Sequence, residues 1–206
     1  MTSVFYINAS PRGAASASTQ AADNFLAALP NTATVKRLPL FESDLPEFAA
    51  VLASAKQKVM TGAALDDLEA AEWRQITALV DQFTAADHYL LAVPMWNFSI
   101  PYKLKHYIDL LTHPGLTFSR DANGVHGLAS GSATVIYSRG GDYSPKDGLP
   151  DPFDFQSPYL RAWLTMVGLD PINEVLVQRT MAGPEGQADA VGAAQPQLVS
   201  LASALV

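Results

Sequence analysis

Apolar positions along this chain follow two alternating rhythms. Short unbroken runs, Val4-Phe5-Tyr6-Ile7, Tyr89-Leu90-Leu91-Ala92-Val93, Ala133-Thr134-Val135-Ile136-Tyr137 and Ile172 to Val177, have the length of strands buried on both faces. Thr34-Val35-Lys36-Arg37-Leu38 is a further candidate strand. Between these runs the spacing becomes helical. Ala22, Phe25, Leu26 and Leu29 recur until Pro30-Asn31 stops them, and Ile76, Leu79, Val80 and Phe83 carry a long helix to about Ala86. Leu104, Tyr107, Ile108 and Leu111 repeat the pattern behind Pro101, as do Leu160, Trp163, Leu164 and Val167 ahead of Gly168. An alanine-rich tail predicts a last helix, weakened by Gly192 and Pro196, and residues 41–70 predict one or two helical pieces after the second strand. Strands alternating with helices predict an α/β fold whose parallel sheet is covered on both faces and joined by right-handed crossovers.

Composition narrows what such a fold could do. At 206 residues with 49% hydrophobic content, one domain spanning 1–206 is expected. A formal charge of −7 offers no broad positive surface, so neither nucleic acid nor membrane is an expected partner. The start carries no recognisable export signal and no apolar stretch is long enough to span a bilayer, which predicts a cytoplasmic protein. The absence of cysteine removes thiolate, disulfide and iron–sulfur chemistry. Redox work would therefore need an organic cofactor or a metal on other ligands.

In an open parallel sheet, ligands bind beyond the carboxyl ends of the strands, where the strand order reverses. Three loops at that edge have unusual composition. The first, Ser10 to Ser18, lacks the glycine fingerprints of dinucleotide and triphosphate loops but clusters the hydroxyls of Ser10, Ser16, Ser18 and Thr19 at a helix start. Hydroxyls and free N–H groups there suit a monophosphate, although Ser16 or Ser18 could equally be a simple helix cap. The second, Pro94-Met95-Trp96-Asn97-Phe98-Ser99-Ile100-Pro101, offers two aromatics for a flat heteroaromatic ring and an amide for its edge, or else anchors for a core or subunit interface. The third, Ser138-Arg139-Gly140-Gly141, offers consecutive N–H groups as a nest for negative charge, or a plain glycine turn.

With these motifs in this order, the sequence resembles the flavin-dependent NADH azoreductases, also described as quinone reductases, of the flavodoxin-like superfamily. The resemblance rests on Ser10 with Ser16-Ala17-Ser18, on Pro94 to Phe98, on Pro101-x-x-Leu104-Lys105-x-x-Ile108-Asp109, on Gly115-Leu116-Thr117-Phe118 and on Ser138 to Gly141. It implies a flavodoxin-like three-layer sandwich with a five-stranded sheet in the order 2-1-3-4-5, and one tightly bound FMN per subunit. Ser10, Ser16, Ala17 and Ser18 would hold the phosphate, Pro94, Met95, Trp96, Asn97 and Phe98 would wrap the ring, and Ser138, Arg139, Gly140 and Gly141 would lie near its pyrimidine end. NADH or NADPH would be the donor, and quinones or aromatic azo compounds the acceptors, in two half-reactions at one site. This scheme requires no acid–base side chain, so no catalytic residue is assigned.

The resemblance further implies a homodimer with both sites at the interface. Tyr102, Lys105 and His106 are candidates for the outer face of the helix that helps form it, and Phe118 and Trp163 for reaching the partner's pocket. Two departures stand out: Trp96, where many relatives have tyrosine, and Asp142-Tyr143-Ser144, where some have a histidine. His88, His106, His113 and His126 lack metal-site spacing, so no metal is expected. A one-electron carrier and a noncatalytic flavin-binding protein are the rival readings.

Overall fold

The computed structural model describes residues 1–148 and 151–205. Five strands, β1 (Ser3–Asn8), β2 (Thr34–Pro39), β3 (His88–Pro94), β6 (Ser132–Ser138) and β7 (Ile172–Val177), form one sheet in the order β2-β1-β3-β6-β7. Every pairing in it is parallel, with Val4 opposite both Val35 and His88, and Val93 opposite Tyr137. Counted as sheet strands, this is the expected order 2-1-3-4-5. The two strands that shift the numbering, β4 (Phe118–Asp121) and β5 (Gly124–Gly127), form a separate antiparallel hairpin that is not among the strands expected from the sequence.

The unbroken apolar runs are explained by two cores. Side chains alternate along a strand, so Phe5, Ile7, Tyr89, Leu91, Val93, Val135 and Tyr137 enter one core while Val4, Tyr6, Leu90, Ala92, Ile136, Val175 and Val177 enter the other. The first core is closed by α2 (Ala50–Thr61), α3 (Asp67–Thr84), α4 (Tyr102–Leu111) and α5 (Ser157–Val167). The second is closed by α1 (Ala17–Ala27) and α6 (Gly183–Ser203). The alanines of α1 and α6, including Ala21, Ala22, Ala194 and Ala202, let those two helices approach closely over the sheet. That packing carries α6 unbroken through Pro196, where local propensity predicts a weak point.

Helix α5 ends at Gly168 as expected, in the left-handed conformation at φ 105°, and a Cβ there would stand 2.6 Å from the Ala129 carbonyl oxygen. Trp163 is a core residue: it is buried, packs 5.6 Å from Phe83, and donates from Nε1 to Thr112 Oγ1 at 3.0 Å. One edge of it also lines a cleft of about 310 Å³ between α4 and α5, with Ile108, Asp109, Tyr159 and Met166. Among the described residues, no helix is long and apolar enough to cross a membrane.

Candidate functional site

The loops after β1, β3 and β6 leave three adjacent strands at their carboxyl ends. Backbone bonds hold the edges in register there, from Ala9 N–H to Ala92 C=O at 2.9 Å and from Met95 N–H to Ser138 C=O at 2.8 Å. The strand order reverses between β2-β1 on one side and β3-β6-β7 on the other.

After β1, the chain makes a short 3-10 turn (Gly13–Ala15) and enters α1 at Ser16. Ser16 occupies the capping position, yet its side chain makes no cap bond; its Oγ lies 3.0 Å from Ser18 Oγ instead. The first helical bond runs from Gln20 N–H to Ser16 C=O, so the N–H groups of Ala17, Ser18 and Thr19 have no partner within the helix. Ser10, Ser16, Ser18 and Thr19 are all buried. Asn8 braces the loop, accepting from Ser10 N–H at 2.9 Å and donating to Thr19 Oγ1 at 3.2 Å. Among the described residues, no carboxylate accepts a hydrogen bond from this cluster. An uncharged cradle of N–H and O–H donors at the positive end of a helix fits a phosphate monoester. Beside it, a cleft of about 560 Å³ is lined by Arg12, Gln20, Thr180, Met181 and Gln187.

After β3, Trp96 and Ser99 exchange both backbone hydrogen bonds, at 2.9 and 3.0 Å, around Asn97 and Phe98. Those two residues sit at φ 47° and 71°, in the left-handed region that side-chain-bearing residues seldom adopt, which is a mark of functional loops. The turn holds Trp96 half-buried and leaves Asn97 and Phe98 exposed. Trp96 packs on Phe41 at 5.5 Å, and Phe41 meets Tyr102 edge-on at 5.6 Å. A cleft of about 450 Å³ opens beside them, lined by Trp96, Asn97, Ile100, Tyr102, Lys105 and Tyr159. On the other side, Phe98 lies 5.1 Å from Phe153 and 6.3 Å from Tyr143.

After β6, three successive carbonyls are bound by one short segment. Arg139 C=O accepts from Thr180 N–H at 3.1 Å, Gly140 C=O from Met181 N–H at 3.4 Å, and Gly141 C=O from Arg179 N–H at 3.0 Å. In a planar trans peptide the N–H points opposite to the C=O, so the N–H groups of Gly140, Gly141 and Asp142 turn away from that segment. None of the three has an acceptor among the described residues. The result is a nest of donors suited to negative charge. Asp142 clasps the segment from outside, with Oδ2 2.6 Å from Arg179 Nη2. Ser144 and the Arg179 guanidinium hold that carboxyl well below the ordinary range.

Arg139 itself is placed unlike its neighbours. Its side chain is buried, with Nε donating to Gln156 Oε1 at 3.0 Å and Nη2 to Asp154 Oδ2 at 2.8 Å. Both its backbone groups are also taken by protein, its N–H by Val177 C=O at 2.8 Å. Its Nε, its Nη2 and both of its backbone groups are thus engaged within the chain. Burial pushes the Asp154 carboxyl up, but Ser157 and Arg139 outweigh it and hold the group below its ordinary value.

Of the residues assigned to the interface helix, Tyr102 and Lys105 are exposed on α4, with Lys105 paired to Asp109 at 2.6 Å, whereas His106 turns inward to donate to Pro46 C=O at 2.9 Å. Phe118 is partly buried at the start of β4. Tyr143 takes the neighbourhood beside Gly141, where an added Cβ would meet its ring at 3.4 Å. The sequence reading missed Phe41, Tyr159, Phe153, Asp154 and Gln156. Each lies outside the motif it supports, and no local sequence pattern marks it.

Comparison with known proteins shows what the chain is similar to. A flavodoxin-like fold family model matches residues 2–201. The chain is 39% identical over 212 residues to FMN-dependent NADH:quinone oxidoreductase 3 of Pseudomonas fluorescens, covering 100% of this chain and 98% of the relative. It is 40% identical over 197 residues to an FMN-dependent NADH:quinone oxidoreductase of Nitratidesulfovibrio vulgaris, covering 92% of each. Among solved structures, an FMN-dependent NADH-azoreductase from Bacillus anthracis in complex with FMN superimposes with a TM-score of 0.85 at 26% identity, covering 98% of this chain and 100% of the other.

Proposed function

The chain belongs to the flavodoxin-like family and is homologous to the FMN-dependent NADH:quinone oxidoreductases and azoreductases, and on that premise we propose that it carries two electrons from NADH or NADPH to quinones and cleaves aromatic azo compounds reductively. It is an enzyme of that FMN-dependent oxidoreductase group. FMN supplies the electron-transfer chemistry when bound, donor and acceptor taking turns at one site. The protein's residues supply grip, position and charge. Ser10, Ser16, Ala17 and Ser18 hold the phosphate with hydroxyl and N–H donors. Pro94, Met95, Trp96, Asn97 and Phe98 flank the ring, and the N–H groups of Gly140 and Gly141 stabilise negative charge that grows on reduction. The Trp96, Tyr102 and Tyr159 cleft receives flat aromatic acceptors, and its open apolar walls favour breadth over selectivity. Two copies assemble through the exposed face of α4, completing the cleft.

The observation that carries this reading is the convergence, at one sheet edge, of a carboxylate-free donor cradle, an aromatic turn held at positive φ and a nest of outward N–H groups. The test is to purify the protein with FMN, establish its mass by sedimentation, record its visible spectrum, and add NADH under argon followed by a quinone. Bleaching on the first addition and recolouring on the second is expected, from a dimer. A yellow protein that NADH leaves unchanged would mark a noncatalytic flavin-binding protein.

A further inference from the structure

The largest fully buried side chain in the described structure is an arginine, Arg139, which is 1% exposed. Burying a guanidinium costs several kcal/mol unless its charge and donors are met. The chain meets them with a network that nothing in the flavin chemistry requires. Asp154 faces Nη2 and Gln156 faces Nε, both on the segment that leads into α5. Asp154 also accepts from the N–H groups of Gln156 and Ser157 at 3.1 and 3.0 Å and from Ser157 Oγ at 2.6 Å. Gln156, itself fully buried, donates onward to Val93 C=O at 3.0 Å, at the end of β3. One residue earlier, Phe155 N–H donates to Phe98 C=O at 3.0 Å, inside the aromatic turn.

The geometry points to Arg139 as a positioning residue: its buried contacts with Asp154 and Gln156 lock the 154–156 strap onto the aromatic turn and fix the outward orientation of the Gly140 and Gly141 N–H groups. The side chain joins the ends of β3 and β6 to the start of α5, while its backbone joins β7 and Thr180. Gly140 and Gly141, which follow it directly, have no side chains with which to hold their own peptide planes. Their orientation depends on the carbonyl bonds to 179–181 and on the fixed residue from which they lead. Phe153 rides on the same strap against Phe98, so the wall of the aromatic turn shares the anchor.

This inference rests on the proposed FMN-dependent function, and its test separates the two. Arg139→Ala would expose the question of folding, so Asp154→Asn and Arg139→Lys accompany it; the first keeps the shape and removes the countercharge, the second keeps the charge and loses the fork. Two measurements are made. The first is amide hydrogen exchange on the proteins without FMN: the Phe155 N–H and the N–H groups of residues 179–181, which hold the 139–141 carbonyls, are expected to exchange at least tenfold faster in Asp154→Asn, with the strands of the sheet unchanged. The second is the reduction potential of bound FMN, by equilibration with redox dyes. Loss of oriented donors favours the oxidised form, so reduced FMN is expected to lose about tenfold in affinity relative to oxidised FMN, a potential about 30 mV lower for a two-electron couple. Arg139→Lys is expected to recover only part of that shift. If exchange at 179–181 and 155 and the potential both match the unmodified protein in Asp154→Asn, the positioning role is overturned while the function stands. If the unmodified protein binds no FMN, the function and the inference fall together.

Discussion

Ser16 has the backbone of a helix cap, at φ −84° and ψ 131°, but its hydroxyl turns to Ser18 and leaves the first N–H groups of α1 unmet. This makes one substitution act in opposite directions on folding and on binding. Aspartate is a preferred capping residue, so Ser16→Asp is expected to leave the melting temperature of the FMN-free protein unchanged or higher. The same carboxylate repels a phosphate, and FMN affinity, read by fluorescence quenching, is expected to fall at least tenfold, or about 1.4 kcal/mol. Unaltered affinity would remove Ser16 from the phosphate site. The hydroxyl cluster was legible in the sequence because spacing alone puts these residues at a helix front. Arg139 was legible only as a member of a motif. That its side chain turns into the protein depends on Asp154 and Gln156, whose nearness follows from how α5 returns to the sheet.

Among the elements, α3 shows how a local signal and a tertiary contact share one residue. Asp66 accepts from Glu69 N–H at 2.9 Å and Glu69 returns the bond to Asp66 N–H at 2.9 Å, a complete capping box. Glu69 also takes Lys58 Nζ at 2.6 Å and Ser54 Oγ at 2.7 Å, docking α2 on the start of α3. Lys58, then Ser54, then the Asp66 N–H hold its carboxyl at about 2. Asp66→Ala is therefore expected to lower stability by about 1 kcal/mol in urea unfolding, the usual cost of a lost cap. No change would mean that the α2 contacts alone fix the start of α3. The sequence contains this start as Asp66-x-x-Glu69, the spacing of a capping box. The helices with strong apolar stripes, α4 and α5, were placed closely; the hairpin of β4 and β5 was not, since strands so short and exposed carry little periodicity. Its Asn123-Gly124 step is the turn signal that could have revealed it.

At the scale of the whole molecule, two neutral histidines tie stability to pH. His88 lies under the sheet against Phe25, hydrogen bonded to Ser132 Oγ at 2.7 Å, with no partner for Nε2 among the described residues. Burial lowers its pKa from 6.5 to about 4. Burial, and then Lys56, likewise lower His113 to about 4. Below about 6.5 the unfolded chain binds protons that the folded chain refuses, so stability is full above that pH and is lost as pH falls toward about 4. Between pH 7.5 and 5, His88 alone is expected to account for about 2 kcal/mol of that loss. His88→Asn, which cannot titrate, should remove this part of the slope when urea midpoints are compared at the two pH values with FMN saturating. A slope identical to that of the unmodified protein would show that His88 charges freely in the folded state.

The alternation of strands and helices, the two-faced burial of the sheet and the three loops at its carboxyl edge follow from the sequence, because each is carried by residues close together along the chain: continuous apolar runs, helical stripes, and hydroxyl, aromatic or glycine clusters at strand ends; the strand order came only with the family resemblance. What tertiary structure alone decided is which way the groups in those loops face. Orientation of the Gly140 and Gly141 peptides depends on bonds to 179–181, the aromatic turn on Phe155, and the buried arginine on Asp154 and Gln156. Those partners are brought near by chain return across the sheet, and a contact between distant segments leaves no period in the sequence from which to read it.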